Sequence, residues 1–379
     1  MLNHKNTRLL INFGPLKEGG GQNVALNFFQ ELERLDDPGF DPYFIVCKNT
    51  ELHLRIKSSR WKNKMVVVSR NPYIRIWQEL SSVRFFLKNN KIKTIYSYFG
   101  FGLFGVNVRQ VIGSADSNLY FPEIDFWENE KIFEKAIRWL VDKYRIFGLK
   151  FAAGVIFENK AMYERAEQLF GIKKKVLILP SIDTPRINEE VQIKSHNNKP
   201  KVLLLCGWQR NKNILLIPKV AHKLRSLGVE VEFILTVDRD DSSCSREFFS
   251  LVERWDVADL INCIGQVKKS QLANLYKIAD LVLLLSLLES FSNNIIESWL
   301  YDRPLVVADE LWSRALCADA AYYVQRDKVD KIAEAIINIF TQQPVKELLI
   351  RNGKRELSKY PSISERFSQE ILFIREFIK

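Results

Sequence analysis

The sequence predicts an α/β protein of two doubly wound domains, each a parallel sheet covered by helices, facing each other across a cleft. Three observations predict it. Short apolar runs alternate with segments of helical period along nearly all of the chain. A polar stretch with two prolines and no periodicity, TPRINEEVQIKSHNNKP at 184–200, interrupts that alternation once and reads as a linker. The 379 residues also exceed what one hydrophobic core usually supports. The expected division is a first domain over 1–183, a linker over 184–200 and a second domain over 201–361, with a closing helix over 362–379 that returns to the first domain.

In order, RLLINF (8–13) is a strand, the glycine-rich 14–21 a turn, and 22–35 an amphipathic helix. Runs at 42–47, 65–69, 93–98 and 108–113 are further strands, with a helix over 76–90. A helical period covers 126–147, followed by a strand at 154–159, a helix over 160–171 stopped by Gly171, and a strand at 175–180 stopped by Pro180. The pattern restarts with strands at 201–207, 229–237, 260–265 and 280–286, separated by helices over 214–228, 245–255 and 270–279. A helix over 295–302, apolar runs at 304–309 and 320–324, and helices over 330–342 and 345–360 complete the second half.

Composition excludes several classes. With 47% hydrophobic and 27% charged residues, the chain is neither disordered nor fibrous. Its five cysteines lie far apart without a CxxC, so neither a disulfide framework nor a zinc site is expected, and a reducing compartment is. The first residues carry charge and Asn where a signal peptide needs apolar ones, and the longest apolar run is Leu281–Leu285, so a cytoplasmic location without a membrane span is expected. The net charge of +11 is concentrated in residues 1–185, which hold 28 Lys and Arg against 19 Asp and Glu. Residues 51–100 alone hold 11 against 2, interleaved with aromatic side chains. Such a surface attracts polyanions or simply keeps a face solvated; no recognisable nucleic-acid motif accompanies it, and no nucleic-acid partner is expected.

Three segments carry chemistry. Gly14 to Gly21 joins the first strand to the first helix, where glycine lets backbone amides approach an anion; the same glycines also suit a turn that needs only positive φ. The loop matches neither a Walker A loop nor GxGxxG, and Lys48-Asn49 stands where a dinucleotide fold places an acid, so a nicotinamide or flavin cofactor is disfavoured. In the second segment, Gly207 to Asn213, Arg210 and Lys212 flank a helix start and could share a phosphate, or be solvated. In the third, Glu289 follows a fully apolar strand and Glu297 lies eight positions on, so both can face the carboxyl end of the sheet. Asn294 with Glu297 three residues later also fits a capping box that needs no ligand.

Glu289-x7-Glu297 followed by Pro304-Leu-Val-Val-Ala-Asp309 resembles the Glu-x7-Glu signature of family 4 retaining glycosyltransferases of the GT-B fold, two Rossmann-like domains about a cleft. Gly265-Gln-Val267, Leu272, Leu275-Tyr276 and Ala279-Asp280 extend the likeness, and Cys317 to Val324 is similar to a stretch of the lipopolysaccharide and capsule branch. The resemblance implies that Glu297 binds the ribose of a nucleotide sugar and Glu289 the hydroxyls of the transferred sugar. It implies that Phe291, Ser292 and Asn293 offer amides, that Lys212 and Arg210 neutralise the leaving diphosphate without a metal, that Gly20 and Gly21 close on it, and that Val267 lies beside the base. Departures are Ser290, Ser292 and Asn294 in place of the usual glycines and proline, and Trp208 in place of an arginine. None of His4, His53, His196 or His222 falls where many relatives keep a histidine near the sugar; Ala115-Asp116 stands there, giving Asp116 a polar role.

The expected function is transfer of a sugar from a nucleotide sugar, with no cofactor and no metal, to a growing surface glycan such as O-antigen or capsule. The alternative is a catalytically weak or inactive binding protein of the same fold in a glycan-assembly complex. Where the acceptor is lipid-linked, the basic 51–100 segment and the amphipathic run Phe126–Phe147 would dock on an anionic membrane. The apolar residues of 126–147 could instead pack on the sheet.

Overall fold

The computed structural model describes residues 7–127, 130–182, 199–240 and 242–378. His4, His196 and positions 184–198 of the expected linker lie outside them. The chain divides into two compact units, Met1–Ser181 with Pro361–Lys379, and Ile182–Tyr360.

In the first unit the order is β1 (Arg8–Asn12), α1 (Gly19–Arg34), β2 (Asp41–Cys47), α2 (Glu51–Lys57), β3 (Met65–Val68), α3 (Pro72–Gln78), α4 (Arg84–Asn89), β4 (Thr94–Ser97), β5 (Arg109–Ser114), α5 (Ile132–Phe151), β6 (Gly154–Phe157), α6 (Lys160–Phe170) and β7 (Lys175–Leu177). The strands form one parallel sheet in the order β3-β2-β1-β4-β5-β6-β7. β1 reads as an unbroken apolar run because both faces of the sheet are covered. Leu9 and Ile11 join the core beneath α1, whereas Leu10 joins the opposite core with Val83 and Leu87.

The second unit runs β8 (Lys201–Leu204), α7 (Ile217–Ser226), β9 (Glu232–Leu235), α8 (Ser243–Arg254), β10 (Ile261–Cys263), α9 (Leu272–Ile278), β11 (Leu281–Leu284), α10 (Asn293–Leu300), β12 (Leu305–Ala308), α11 (Leu311–Cys317), β13 (Tyr322–Val324), α12 (Val329–Thr341) and α13 (Gln343–Leu357). Its parallel sheet has the order β10-β9-β8-β11-β12-β13. Each sheet therefore reverses direction once, between β1 and β4 and between β8 and β11. Open sheets of this kind bind ligands beside such a reversal, at the strands' carboxyl ends.

The closing helix α14 (Ile363–Arg375) packs within the first unit, where Phe367 meets Phe28 with ring centroids 5.0 Å apart. Gly154 on β6 makes room for it: a Cβ there would lie 2.6 Å from the Phe377 ring.

Several elements differ from the sequence expectation. The helix expected over 76–90 starts at Pro72, capped by Asn71, and passes through a π-type turn at Glu79–Val83. There Ser81 and Ser82 donate their hydroxyls to the carbonyls of Trp77 and Gln78, four residues back, which competes with the helical ladder. The helix expected over 126–147 begins only at Ile132 and continues to Phe151. α2 and α11, seven residues each, were not expected at all. Among the described residues no helix is long and apolar enough to cross a membrane. All five cysteines are free thiols.

Candidate functional site

The reversal between β8 and β11 brings two of the three chemistry-bearing segments together. After β8 the chain makes a short 3-10 turn at Arg210–Lys212, ended by Asn213 in the left-handed conformation (φ 57°), which Asn tolerates better than most side chains. The Asn213 side chain donates to the Arg326 carbonyl. The Asn211 carbonyl accepts from the Leu287 amide at 2.7 Å, joining this turn to the chain leaving β11. That junction sets the Lys212 ammonium against the Glu289 carboxylate as an ion pair, both side chains mostly buried. The charges are 77 positions apart in sequence, and adjacent strands make them neighbours.

Arg210 does not join them. Its guanidinium donates to Glu247 of α8 at 2.8 Å, on an exposed pair. Trp208 turns its indole to the Asp238 carbonyl at 2.8 Å and packs on Phe248 and Phe249. Cys206, on the same turn, exchanges hydrogen bonds with the Thr236 hydroxyl, and burial pushes its thiol up to about 12; it is no thiolate nucleophile at neutral pH.

On the other side of the reversal, Ser292 is the N-cap of α10, and no side chain caps the helix. Asn294 is thus the second helical residue, and its amide donates to the Leu205 carbonyl at the end of β8 at 3.0 Å. The capping-box reading fails, since Glu297 lies in the second turn. Glu297 instead accepts from the Tyr276 hydroxyl at 2.8 Å. The Tyr276 ring is fully buried and stacked on Tyr301, with centroids 5.3 Å apart. Burial first, then the neighbouring Glu297 charge, holds that phenol well above its ordinary value, so it stays a proton donor to the carboxylate. Phe291 faces Tyr360 at 6.1 Å, and Asn293 is exposed at the helix start. Val267 is half-buried just beyond Gly265, whose φ of +78° and closeness to the Asp238 carboxylate admit no side chain.

The spacing Asp238-Arg239-Asp240 is one that can hold a metal, and the sequence reading overlooked it. Here Asp238 accepts from the Gln266 amide and Asp240 from the Ser242 amide, so the two carboxylates shape the loops on either side of α8's start. Hydrogen bonding from Ser242 holds Asp240 below the ordinary carboxylate range. Among the described residues no group of three or more His, Cys, Asp or Glu could hold a metal ion.

The remaining candidates belong to the first unit. Gly20 and Gly21 are the second and third residues of α1, whose N-cap, Glu18, makes no side-chain cap. Arg75 donates to the Gly14 carbonyl at 3.4 Å, and Arg70 pairs with Glu18 at 3.5 Å, so the loop is set among cations. Asp116, beyond β5, lies 3.5 Å from Arg145 of α5, which also holds Asp142 at 3.1 Å. Burial raises the Asp116 carboxyl, against the pull of Arg145 and with the push of Asp142. Asp116 is thus one member of a carboxylate–guanidinium network. His53 accepts from the Asn49 amide and His222 sits beside the Trp255 carbonyl.

Sequence reasoning missed Tyr276 as the partner of Glu297 and Asn211 as the joint of the two loops. Tyr276 stood in the pattern that carried the family resemblance, which was the available signal. Tyr276→Phe should leave the fold intact and deprive Glu297 of the hydrogen bond that orients it, so that a nucleotide diphosphate held by Glu297, the role the resemblance implies, should bind a few-fold more weakly. Calorimetry checks this, and Glu297→Gln should show the larger loss.

The family described as Glycosyl transferases group 1 matches residues 185–356. No curated protein sequence matches the chain. Among solved structures, sucrose-phosphate synthase from Thermosynechococcus elongatus superposes with a TM-score of 0.76 at 15% identity, over 98% of each chain. Anabaena HepE in complex with UDP and glucose gives 0.70 at 13% identity, over 98% of this chain and all of that one. A glycosyltransferase from Rickettsia africae gives 0.67 at 13% identity, over 98% of each. Residues 185–356 thus carry a glycosyl transferases group 1 domain, within a chain whose two parallel sheets give it the fold of the GT-B glycosyltransferases.

Proposed function

We propose that this chain is a metal-independent retaining glycosyltransferase that moves a hexose from a nucleotide sugar to a growing surface glycan in the cytoplasm. The observation that carries the reading is the Lys212–Glu289 pair at the β8/β11 reversal, with Glu297 in the second turn of α10 beyond it. Glu297, oriented by Tyr276, accepts from the ribose hydroxyls, and Glu289 accepts from hydroxyls of the transferred sugar. The diphosphate takes Lys212 as its counter-ion, with the amides of Phe291, Ser292 and Asn293 at the start of α10. Val267 would flank the base. The complex of HepE with UDP and glucose supports a donor of this class.

In the transfer, the bond from the anomeric carbon to the diphosphate oxygen breaks and the acceptor oxygen bonds on the same face. The acceptor's proton goes to the departing phosphate oxygen. Negative charge grows on the diphosphate as it leaves, and Lys212 is placed to stabilise it.

Incubation with isotope-labelled UDP-, GDP- and dTDP-sugars and a glycan acceptor should give labelled product with the donor's anomeric configuration, unaffected by EDTA. An inverted product or strict dependence on a divalent metal contradicts the reading. Arg210's engagement with Glu247 favours a second reading, binding without turnover. Nucleotide-sugar binding by calorimetry with no transfer to any acceptor would establish it.

A further inference from the structure

α5 was open to two readings from sequence, and its side chains decide between them. Of its 20 residues only Leu149 is buried. Phe133, Ile137, Leu140, Tyr144, Phe147 and Phe151 recur at intervals of three and four, which at about 100° per residue puts all six on one stripe. Phe133 is 76% exposed and Phe151 73%. The stripe continues onto the turn before β5, which α4 holds through Arg84. Phe104 contacts Tyr144 and Phe147 at 5.8 and 6.1 Å, and its carbonyl accepts from Arg84 of α4. Just upstream, α3 buries none of its residues, leaving Tyr73 80% and Trp77 68% exposed. Large apolar side chains gathered on one exposed face mark an interaction surface.

Cations flank it. α5 carries five basic and two acidic residues, and Lys143 and Lys150, beside the stripe, make no ion pair among the described residues. Lys143 lies 5.4 Å over the Trp139 ring. Residues 51–100, which include α3 and α4, hold 11 basic against 2 acidic side chains. A second copy docked symmetrically on this face would bring like charges together. A leaflet rich in acidic lipid offers both complements at once, phosphate anions for the lysines and an acyl boundary for the aromatic rings.

We infer that the face formed by α3, α4 and α5 docks the protein in-plane on an anionic membrane, with the Phe133–Phe151 stripe inserted at the headgroup boundary and Lys143 and Lys150 on the phosphates. The proposal does not rest on the assignments in the second unit, and its test does not use activity.

Cosedimentation with phosphatidylcholine vesicles, with and without phosphatidylglycerol, across a sodium chloride series decides it. The full chain should bind the phosphatidylglycerol vesicles and release as salt rises. Lys143→Ala and Lys150→Ala should each weaken partitioning by about fivefold. Phe133→Ser with Phe151→Ser should weaken it by about tenfold or more, at exposed positions where far-UV circular dichroism will confirm an unchanged fold. The inference is overturned by absence of binding to phosphatidylglycerol vesicles, or by equal binding of wild type and all variants. It is overturned equally by a dimer that the Phe133 and Phe151 substitutions dissociate without any vesicle binding, which would give the face to a second copy.

Discussion

Lys212→Ala should lower kcat for sugar transfer by about 10²- to 10³-fold while changing the affinity for donor far less. The reason is where charge sits and when. Before reaction Lys212 has a partner already, Glu289, so the ground state gains little from placing the ammonium beside the diphosphate. As the glycosidic bond breaks, charge accumulates on the leaving oxygen, and an interaction that strengthens only then acts on the rate. Glu289→Ala should abolish transfer yet leave binding of the nucleotide diphosphate nearly unchanged, because the role proposed for its carboxylate is to meet the sugar. The double variant should be no slower than the worse single one, since the two groups act as a unit. A loss confined to donor affinity, with kcat intact, would assign Lys212 to uniform binding and remove it from the reacting centre. Magnesium or EDTA should shift none of these values.

The parallel sheets were legible because strands buried on both faces leave continuous apolar runs such as RLLIN and LVLL, which no surface helix carries. Short helices were not. α2, ELHLRIK, has seven residues and buries only Leu52 and Ile56, too few for a period to show. The start of α5 misled for another reason: Phe126 and Trp127 continue an apolar pattern but belong to a turn in which their rings meet edge to face. At the site, Lys212 and Glu289 were visible as residue types in the turns after strands, and Glu297 as a carboxylate inside the helix that follows. Their partners were not, because pairing depends on strand order: β8 lies against β11 although α7, β9, α8, β10 and α9 intervene in sequence, and sequence spacing carries no trace of that neighbour. The same holds for Arg210, whose tie to Glu247 needs α8 to pack beside the turn.

Arg366→Ala should destabilise the first unit by about 3–5 kcal/mol. Arg366 of α14 is 4% exposed and lies between two carboxylates that are also buried, donating to Glu370 at 2.8 Å and to Glu158 beyond β6. Tyr98 of the segment after β4 adds a hydroxyl 3.4 Å from Glu370. Removing the guanidinium leaves two carboxylates without their shared cation in a low-dielectric interior, where each resists ionisation. Burial already raises the Glu370 carboxyl even with Arg366 beside it. In the variant the folded-state value of Glu370 rises further above that of the unfolded chain, so the folded form keeps a proton that the unfolded form releases. Stability then falls as pH rises through those values, and the deficit should be small near pH 4.5 and full at pH 7. Urea unfolding of wild type and variant across that range measures it, and hydrogen exchange should show α14 losing protection, since this triad and the packing of Phe367, Phe373 and Phe377 hold it. Replacing Arg366, Glu158 and Glu370 together with Met, Leu and Leu should recover much of the loss, because an apolar set of similar volume avoids the desolvation of three charges. A pH-independent deficit would assign the effect to lost packing of the arginine stem and not to the stranded carboxylates.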